Sequence, residues 1–267
     1  MERRLLYCCV LIPRLRSTGT GYAKSFTTSH LLCKRFVKGK TLSSSLWLTR
    51  HISDPYVRQA QIEGYRCRSA YKLIEIDQKH NLLKKGSVVV DCGAAPGAWS
   101  QVAASKMMNT IVKPKKSPPS TIQDKKKQNY SSEYGLIVAV DINNIDPIEG
   151  VTTVMGDFTV QGTQDKIREI LNGRPIDLIM SDMAPNASGF KAMDQECILK
   201  LAQSVFDFSK VMLAPHGSLL CKIWQGPETK GFMKEMSVYF ATVNRLRPKA
   251  TRKESSEFFI IAKDFKH

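Results

Sequence analysis

The fold is decided by the stretch VVVDCGAAPGAWS, residues 88–100. A β-branched apolar run comes first, then a turn containing Gly93 and Gly97, then a sequence with helical character. This order predicts a strand buried on both faces, followed by a tight loop and a helix. The glycines allow the loop backbone to approach a ligand, and the first turn of the helix offers free N–H groups to it.

Apolar runs and helical stretches alternate on both sides of this segment. Further strands are predicted at Gly135–Asp141, Val151–Met155, Ile176–Ser181, Ser218–Trp224, Val243–Leu246 and Phe258–Ala262. Helices are predicted at Ala70–Lys79, Trp99–Met108, Asp165–Leu171, Ile198–Leu213 and Thr229–Tyr239. The alternation predicts a Rossmann-like α/β fold, with a mostly parallel seven-stranded sheet and helices on both faces.

Composition narrows the class of protein. The 267 residues are 42% hydrophobic and 24% charged, which argues against disorder of the whole chain. No run approaches the ~18 apolar residues of a membrane-spanning helix. The seven cysteines form no CxxC pair and no Cys/His zinc pattern, so we expect no metal site, and the odd count favours a reducing compartment.

Two segments carry nearly all of the net charge of +16: residues 1–50 contribute +9 and residues 106–127 contribute +6. We interpret residues 1–45 as a leader, and no Asp or Glu occurs between Arg3 and Ser53. A basic, hydroxyl-rich, acid-poor start is typical of a mitochondrial transit peptide, and a secretory signal fits less well. The alternative interpretation is a disordered basic tail that binds RNA phosphates.

The second basic segment lies largely within a stretch rich in Lys, Pro and Ser that spans residues 109–134. We interpret it as an exposed insertion that either adds phosphate contacts or is simply solvated. Asp141 ends the second predicted strand, 44 residues after Gly97, where a ribose-binding acid is expected about 20 residues on. Removing the insertion restores that spacing.

The glycine loop indicates the kind of cofactor. It reads GAAPG instead of the GxGxxG that a pyrophosphate needs, with Ala95 in place of the second glycine, so a dehydrogenase is disfavoured. A nucleoside with an amino-acid tail fits better, which points to S-adenosylmethionine, although a structural glycine turn stays possible. Asp157 could accept from the adenine amino group with Phe158 as ring neighbour, or Asp157 could be a helix N-cap.

Five motifs in order resemble the FtsJ/RrmJ family of ribosomal RNA 2′-O-methyltransferases. They are CRSAYKL (67–73), VVDCGAAPGAWSQ (89–101), SDMAPNASGF (181–190), LLCKIWQG (219–226) and RKESSEFFIIA (252–262). The resemblance covers residues 54–263, which we expect to form the methyltransferase domain, and is greatest to the animal mitochondrial members. The long insertion at 109–134 departs from the bacterial pattern.

The resemblance implies a Lys-Asp-Lys-Glu tetrad and a set of cofactor contacts. The tetrad positions are Lys72, Asp182, Lys222 and Glu257. The cofactor positions are Gly93, Pro96, Gly97, Ala98, Trp99, Asp141, Asp157 and Asp182. The family's acceptor is implied to be a uridine in large-subunit ribosomal RNA.

The chemistry explains why these residue types would be needed. A ribose 2′-hydroxyl is a weak nucleophile at neutral pH, so its proton must be taken by a base. We assign Lys222 as that base, because a lysine inside the apolar run LLCKIW requires a reason. Lys72 would favour the neutral form of Lys222 as a neighbouring cation, and Asp182 and Glu257 would position the lysines or the ribose.

Basic side chains flank the tetrad in sequence and could bind RNA phosphates. The candidates are Arg58, Arg66, Arg68, Arg245, Arg247, Lys249, Arg252 and Lys253. We expect a monomer of the mitochondrial matrix whose partner is ribosomal RNA or a precursor of the large mitoribosomal subunit.

The sequence also bears on several competing functions. Adenine and glutamine N-methylases carry [ND]PP[YF] where this chain has SDMAPN, and Cys197 and Cys221 lack the context of a cytosine C5 nucleophile. An RNA-binding assembly factor with secondary methylation activity, and a 2′-O-methyltransferase for another RNA, remain open.

The acid-free leader generates a prediction about processing. The mature organellar protein should begin between about residue 18 and residue 50, because such leaders are removed after import. N-terminal sequencing of the protein isolated from mitochondria measures this. A mature chain that begins at Met1 or Glu2 would contradict the interpretation.

Overall fold

The computed structural model describes residues 52–108, 135–186 and 188–266. The predicted leader and the Lys/Pro/Ser-rich segment at 109–134 lie outside these ranges.

The described residues form helices and strands in the alternating order that the sequence predicts. The helices are α1 Pro55–Glu63, α2 Ala70–His80, α3 Ala98–Met108, α4 Gln161–Leu171, α5 Lys191–Met212 and α6 Thr229–Tyr239. The strands are β1 Val88–Cys92, β2 Leu136–Asp141, β3 Val151–Met155, β4 Ile176–Ser181, β5 Leu213–Trp224, β6 Phe240–Leu246 and β7 Glu257–Phe265.

The strands build one seven-stranded sheet of order β3-β2-β1-β4-β5-β7-β6. The pairs β1·β2, β1·β4, β2·β3 and β4·β5 are parallel, whereas β7 runs antiparallel to both β5 and β6. Strand order reverses on the two sides of β1, so a crevice opens at the carboxyl ends of β1, β2 and β4. The prediction of a mostly parallel α/β sheet is confirmed.

Two apolar layers cover the sheet, and β1 contributes to both. Val88, Val90 and Cys92 pack on one face with α4, α5 and α6, whereas Val89 packs on the other face with α2 and α3. Successive side chains of a strand point to opposite faces, so a strand that is covered on both faces is mostly apolar, and Asp91 is the one charged residue of β1. This is why the apolar residues of the run SVVVDC are consecutive and do not alternate with exposed polar residues.

The structure differs from the predicted boundaries at several places. Helix α1 was not predicted because only Val57 and Ala60 of it are buried; Asp54 caps it, accepting from the N–H of Tyr56 at 3.1 Å. Helix α5 starts at Lys191, earlier than the predicted Ile198. Its first two turns are polar or exposed, so they lack the apolar periodicity from which a helix is predicted.

Strand β5 also starts earlier than expected, at Leu213, and so runs through Pro215. The β4–β5 register shifts between Ile176 and Leu178, and His216 has a φ of 64°. A bulge of this kind accommodates the missing N–H of the proline.

None of the helices in the described ranges has the length and apolarity that are needed to cross a bilayer.

Candidate active site

The loop after β1 is shaped by its two glycines. Gly93 has a φ of 75°, and a Cβ there would lie 2.4 Å from the side chain of Met183. Gly97 has a φ of 106°, and its Cβ would lie 2.7 Å from the Arg66 guanidinium. Both positions therefore require glycine for backbone conformation and for space.

Backbone and side-chain bonds then fix the loop. The N–H groups of Gly93 and Ala94 donate to the Val140 carbonyl at 2.9 and 3.1 Å. The N–H of Ala95 donates to Asp141 Oδ2 at 2.9 Å. The loop is thus tied to the end of β2, and one wall of the crevice is set by the sheet itself.

A cleft with a volume of about 620 Å³ lies at this edge of the sheet. Its walls come from the β1, β2, β3 and β4 ends and from α5. The residues that line it are Gly93, Ala95, Val140, Asp141, Ile142, Asn143, Gly156, Asp157, Phe158, Asp182, Met183, Ala184, Pro185, Asn186, Cys197, Lys200 and Leu201.

Only part of the predicted cofactor set lines this cleft. Gly93, Asp141, Asp157, Phe158 and Asp182 do. Among the described residues, the lining does not include Pro96, Gly97, Ala98 or Trp99. The Trp99 ring packs on Phe259 at a centroid distance of 5.6 Å, and its Nε1 donates to the Ser69 carbonyl at 2.9 Å. Trp99 thus holds α3 against the tetrad side of the site.

The two outer carboxylates of the cleft are held by short-range bonds. Asp141 Oδ1 accepts from the N–H and the side-chain amide of Asn143, at 2.9 and 2.8 Å. Asp157 Oδ1 accepts from the N–H and hydroxyl of Thr159, at 2.8 and 2.7 Å. Asp157 is therefore not the N-cap of α4, whose N-cap position is Val160.

The carboxylates and apolar side chains that line the cleft suit S-adenosylmethionine. Three carboxylates, from Asp141, Asp157 and Asp182, face it, beside the apolar side chains of Ile142 and Met183. Carboxylates accept from hydroxyl and amino groups and favour a cationic ligand, whereas they repel a pyrophosphate. The residues present therefore fit a nucleoside that carries an ammonium and a sulfonium.

A fourth carboxylate lies beneath the loop. Asp91 is fully buried, and its Oδ2 accepts from the Ser100 hydroxyl at 2.6 Å. Burial raises the pKa of Asp91 to about 7, with Asp182 and Asp141 adding to the increase. Partial protonation near neutral pH therefore relieves repulsion among the carboxylates at the strand ends.

The four tetrad side chains converge beside the cleft. Lys222 Nζ lies 3.0 Å from Asp182 Oδ1 and also donates to the Asp182 carbonyl. Lys72 Nζ lies 2.6 Å from Glu257 Oε1 and 3.8 Å from Asp182 Oδ1. The residues come from α2, the β4 end, β5 and β7, so the sheet order brings together positions far apart in sequence.

The electrostatics fix the charges of Lys72 and Asp182. Burial lowers the pKa of Lys72, but Asp182 and Glu257 outweigh that effect and hold it above its usual value. Burial alone would raise the pKa of Asp182, but Lys222 and Lys72 outweigh that effect and hold the pKa below its usual value. Lys72 is therefore a fixed cation and Asp182 a fixed anion at neutral pH.

Two supporting residues were not identified from the sequence. Ser69, which precedes α2, contributes to the lowered pKa of the Asp182 carboxyl. The Thr251 hydroxyl donates to Glu257 Oε1 at 3.3 Å. Ser69 lies inside the motif CRSAYKL and could have been singled out, whereas nothing in the sequence distinguishes Thr251 from other threonines.

Several predicted RNA-binding arginines have partners within the protein. Arg66 donates to the carbonyls of Pro96 and Pro147, and Arg68 pairs with Asp54 and donates to the Ala250 carbonyl. The remaining candidates divide in the same way. Arg247 donates to three carbonyls of residues 252–255. Arg245 stacks on Phe258 and donates to Gln225, and Arg252 lies 3.6 Å from Asp54. The side chains of Arg58, Lys249 and Lys253 are exposed.

The fold and this cleft define a Rossmann-like methyltransferase. The family model of FtsJ-like methyltransferases matches residues 65–265, and the chain belongs to that family. This confirms the resemblance inferred from the five motifs.

Individual relatives support the same assignment. The chain is 38% identical over 233 residues to a Drosophila melanogaster protein named mitochondrial rRNA methyltransferase 2, covering 87% of both chains. It is 40% identical to Ribosomal RNA large subunit methyltransferase E of Rhodopseudomonas palustris, over 84% of this chain and 86% of that one. A crystal structure described as a Plasmodium falciparum ribosomal RNA methyltransferase superimposes with a TM-score of 0.61 at 27% identity, covering 75% of this chain and 98% of that one.

The internal bonds of Arg68 generate a prediction. Arg68→Ala should lower the free energy of unfolding by about 2 kcal/mol, because it leaves the buried Asp54 carboxylate without its main partner. Arg58→Ala, on the exposed side of α1, is the matched control and should leave stability unchanged. Denaturant unfolding of both variants measures this. Unchanged stability of Arg68→Ala together with weaker RNA binding would show that Arg68 contacts phosphate instead.

Proposed function

We propose that this protein transfers a methyl group from S-adenosylmethionine to the 2′-hydroxyl of a ribose, most specifically of a uridine, in mitochondrial large-subunit ribosomal RNA. One observation carries the proposal. Lys72, Asp182, Lys222 and Glu257 meet beside a carboxylate-lined cleft, and Asp182 belongs to both.

The residues of the cleft would hold the cofactor by complementary chemistry. Asp141 would accept from ribose hydroxyls, Asp157 from the adenine amino group, and Asp182 from the methionine ammonium. Bound S-adenosylmethionine supplies a methyl group already activated by the sulfonium. The protein therefore has to align the acceptor oxygen and remove its proton.

The contacts favour Lys222 as the base over Lys72. Lys72 lies near two carboxylates, and its raised pKa keeps the proton on it. Lys222 faces the single carboxylate of Asp182 and is 9% exposed at the end of an apolar strand. Lys72 then acts as a fixed cation that shares the Asp182 carboxylate with the base, and Asp182 and Glu257 orient the two lysines.

The relatives and the leader support the RNA and the compartment in this proposal. The names of the fly and Rhodopseudomonas relatives specify ribosomal RNA, the former in mitochondria and the latter in the large subunit. The acid-free stretch Arg3–Ser53 is typical of import into the matrix. The methylation would support assembly of the large mitoribosomal subunit.

A methylation map tests the proposal directly. Cells without the protein, cells with it, and cells with Lys222→Ala would be compared by mapping 2′-O-methylation across mitochondrial ribosomal RNA. We expect one large-subunit position to lose its mark without the protein and with the variant. An unchanged map would contradict the proposed reaction, and defective subunit assembly with an unchanged map would support the assembly-factor alternative.

The role of Lys222 generates a kinetic prediction. Lys222→Ala should lower the methyl-transfer rate by at least about a hundredfold, because a general base contributes on this order. Affinity for S-adenosylmethionine should stay within about twofold, since the base acts on the acceptor. Single-turnover assays and calorimetry measure the two quantities, with the exposed Lys230→Ala as control. Turnover within a few-fold of the unmodified protein would refute the assignment.

Asp141 generates the complementary prediction. Asp141→Asn should weaken S-adenosylmethionine binding about tenfold, because an amide replaces a charged acceptor for ribose hydroxyls. Asp146→Asn alters an exposed carboxylate of the same connection, which is not part of the cleft lining, and is the control. Calorimetry on both variants is the measurement. Equal affinities would exclude Asp141 as a cofactor contact.

A further inference from the structure

Two large apolar side chains lie exposed next to the active site. Phe190 is 72% exposed and Met193 is 55% exposed. They follow residues 182–186, all of which line the cofactor cleft. Exposed apolar side chains are common when scattered, so their position relative to the site decides whether they matter.

Helix α5 connects both residues to the lining of the cleft. Cys197, Lys200 and Leu201 of this helix line the cleft. Residues three or four apart share a helix face, so Met193 extends this stripe by one turn toward the start of the helix. Phe190 is the N-cap residue immediately before it.

The same helix turn also contacts the strand that carries the proposed base. The side-chain amide of Gln195 donates to the carbonyl of Gln225, three residues after Lys222. A Cβ at Gly226 would lie 3.3 Å from Gln195. The start of α5 is therefore located between the cofactor cleft and the carboxyl end of β5.

Local hydrogen bonds hold the Phe190 backbone in place. The Ser188 N–H and hydroxyl both donate to Asp194 Oδ1 at 2.7 Å. The N–H of Phe190 donates to the Ser188 hydroxyl at 3.1 Å, and the N–H of Asp194 donates to the Phe190 carbonyl at 2.9 Å. An exposed ring on a fixed backbone loses little conformational entropy when a ligand covers it.

We propose that Phe190 and Met193 form an apolar platform on which the nucleobase of the acceptor nucleotide stacks. The inference rests on the proposed function and concerns the nucleobase of the acceptor, whereas the charged tetrad acts on its ribose. The tetrad groups bind and deprotonate a ribose, which every nucleotide has. Bases removed from a helix are commonly held by stacking on aromatic side chains, and an aromatic ring offers a face to any base.

The test compares RNA affinities of the full-length protein saturated with S-adenosylhomocysteine, so that no turnover occurs. One probe is large-subunit ribosomal RNA, and the other is the same RNA with an abasic ribose at the mapped acceptor position. Phe190→Ala should weaken binding of the intact RNA about tenfold, and Phe190→Trp should stay within about twofold. On the abasic RNA, Phe190→Ala and the unmodified protein should bind equally.

Controls separate stacking from other effects. Val238→Ala removes an apolar side chain that is 68% exposed and lies on α6, and it should change neither affinity. Thermal unfolding should be nearly the same for all variants, since the side chains of Phe190 and Val238 are mostly exposed. Unchanged affinity of Phe190→Ala for intact RNA, or an equal loss on abasic RNA, would overturn the platform.

The outcome is distinguishable from failure of the proposed function. If no ribosomal position loses its methyl group without the protein, the proposed function fails and the platform fails with it. If the methylation map is as expected but Phe190→Ala binds normally, only the platform is refuted.

Discussion

The carboxylate of Asp182 joins the two halves of the site, and most of the structure around it serves to hold it there. The backbone N–H of Asp182 donates to the Cys92 carbonyl at 3.2 Å, which fixes the residue to the end of β1. Its carboxylate faces the cleft on one side and the lysines on the other. The Asp182 carboxylate stays ionised, so its negative charge compensates the positive charge of the buried lysines beside it. The transfer of a group between two ligands requires their sites to be adjacent, and Asp182 lies where the two sites meet.

This meeting point depends in turn on the pairing of β1 with β4. Cys92 lies opposite Ser181 in the parallel register, so the positions of Gly93 and Asp182, one residue further along the chain from each, are fixed relative to each other. Neighbouring strands end at the same edge, which is why acids at the β2 and β4 ends meet the glycine loop. The antiparallel β7 then brings Glu257 next to β5, where it pairs with Trp224 in the register. Glu257 reaches Lys72 from there.

The sequence predicted these features to the extent that they depend on local patterns. Seven strands, the glycine loop and the unusual lysine in LLCKIW were recognisable, and the tetrad came from the resemblance. Helix α1 was missed because it is short and mostly polar, and the β5 start was missed because Pro215 reads as a break. Thr251 was missed because its contact with Glu257 depends on the path of a loop.

The arginines show why charge along a sequence is a weak guide to nucleic-acid contacts. Arg68 reaches Asp54 14 positions away and Ala250 182 positions away, and neither distance is visible as a pattern. Its cation stabilises the chain segment that leads to Glu257, so it acts on the protein itself. Arg66 does the same for the glycine loop, through the carbonyls of Pro96 and Pro147. A basic cluster next to an active site therefore contains side chains that build the site as well as side chains that face its ligand. Partners within the fold separate the two kinds, which leaves exposed residues such as Arg58, Lys249 and Lys253 as those whose charge is presented to solvent.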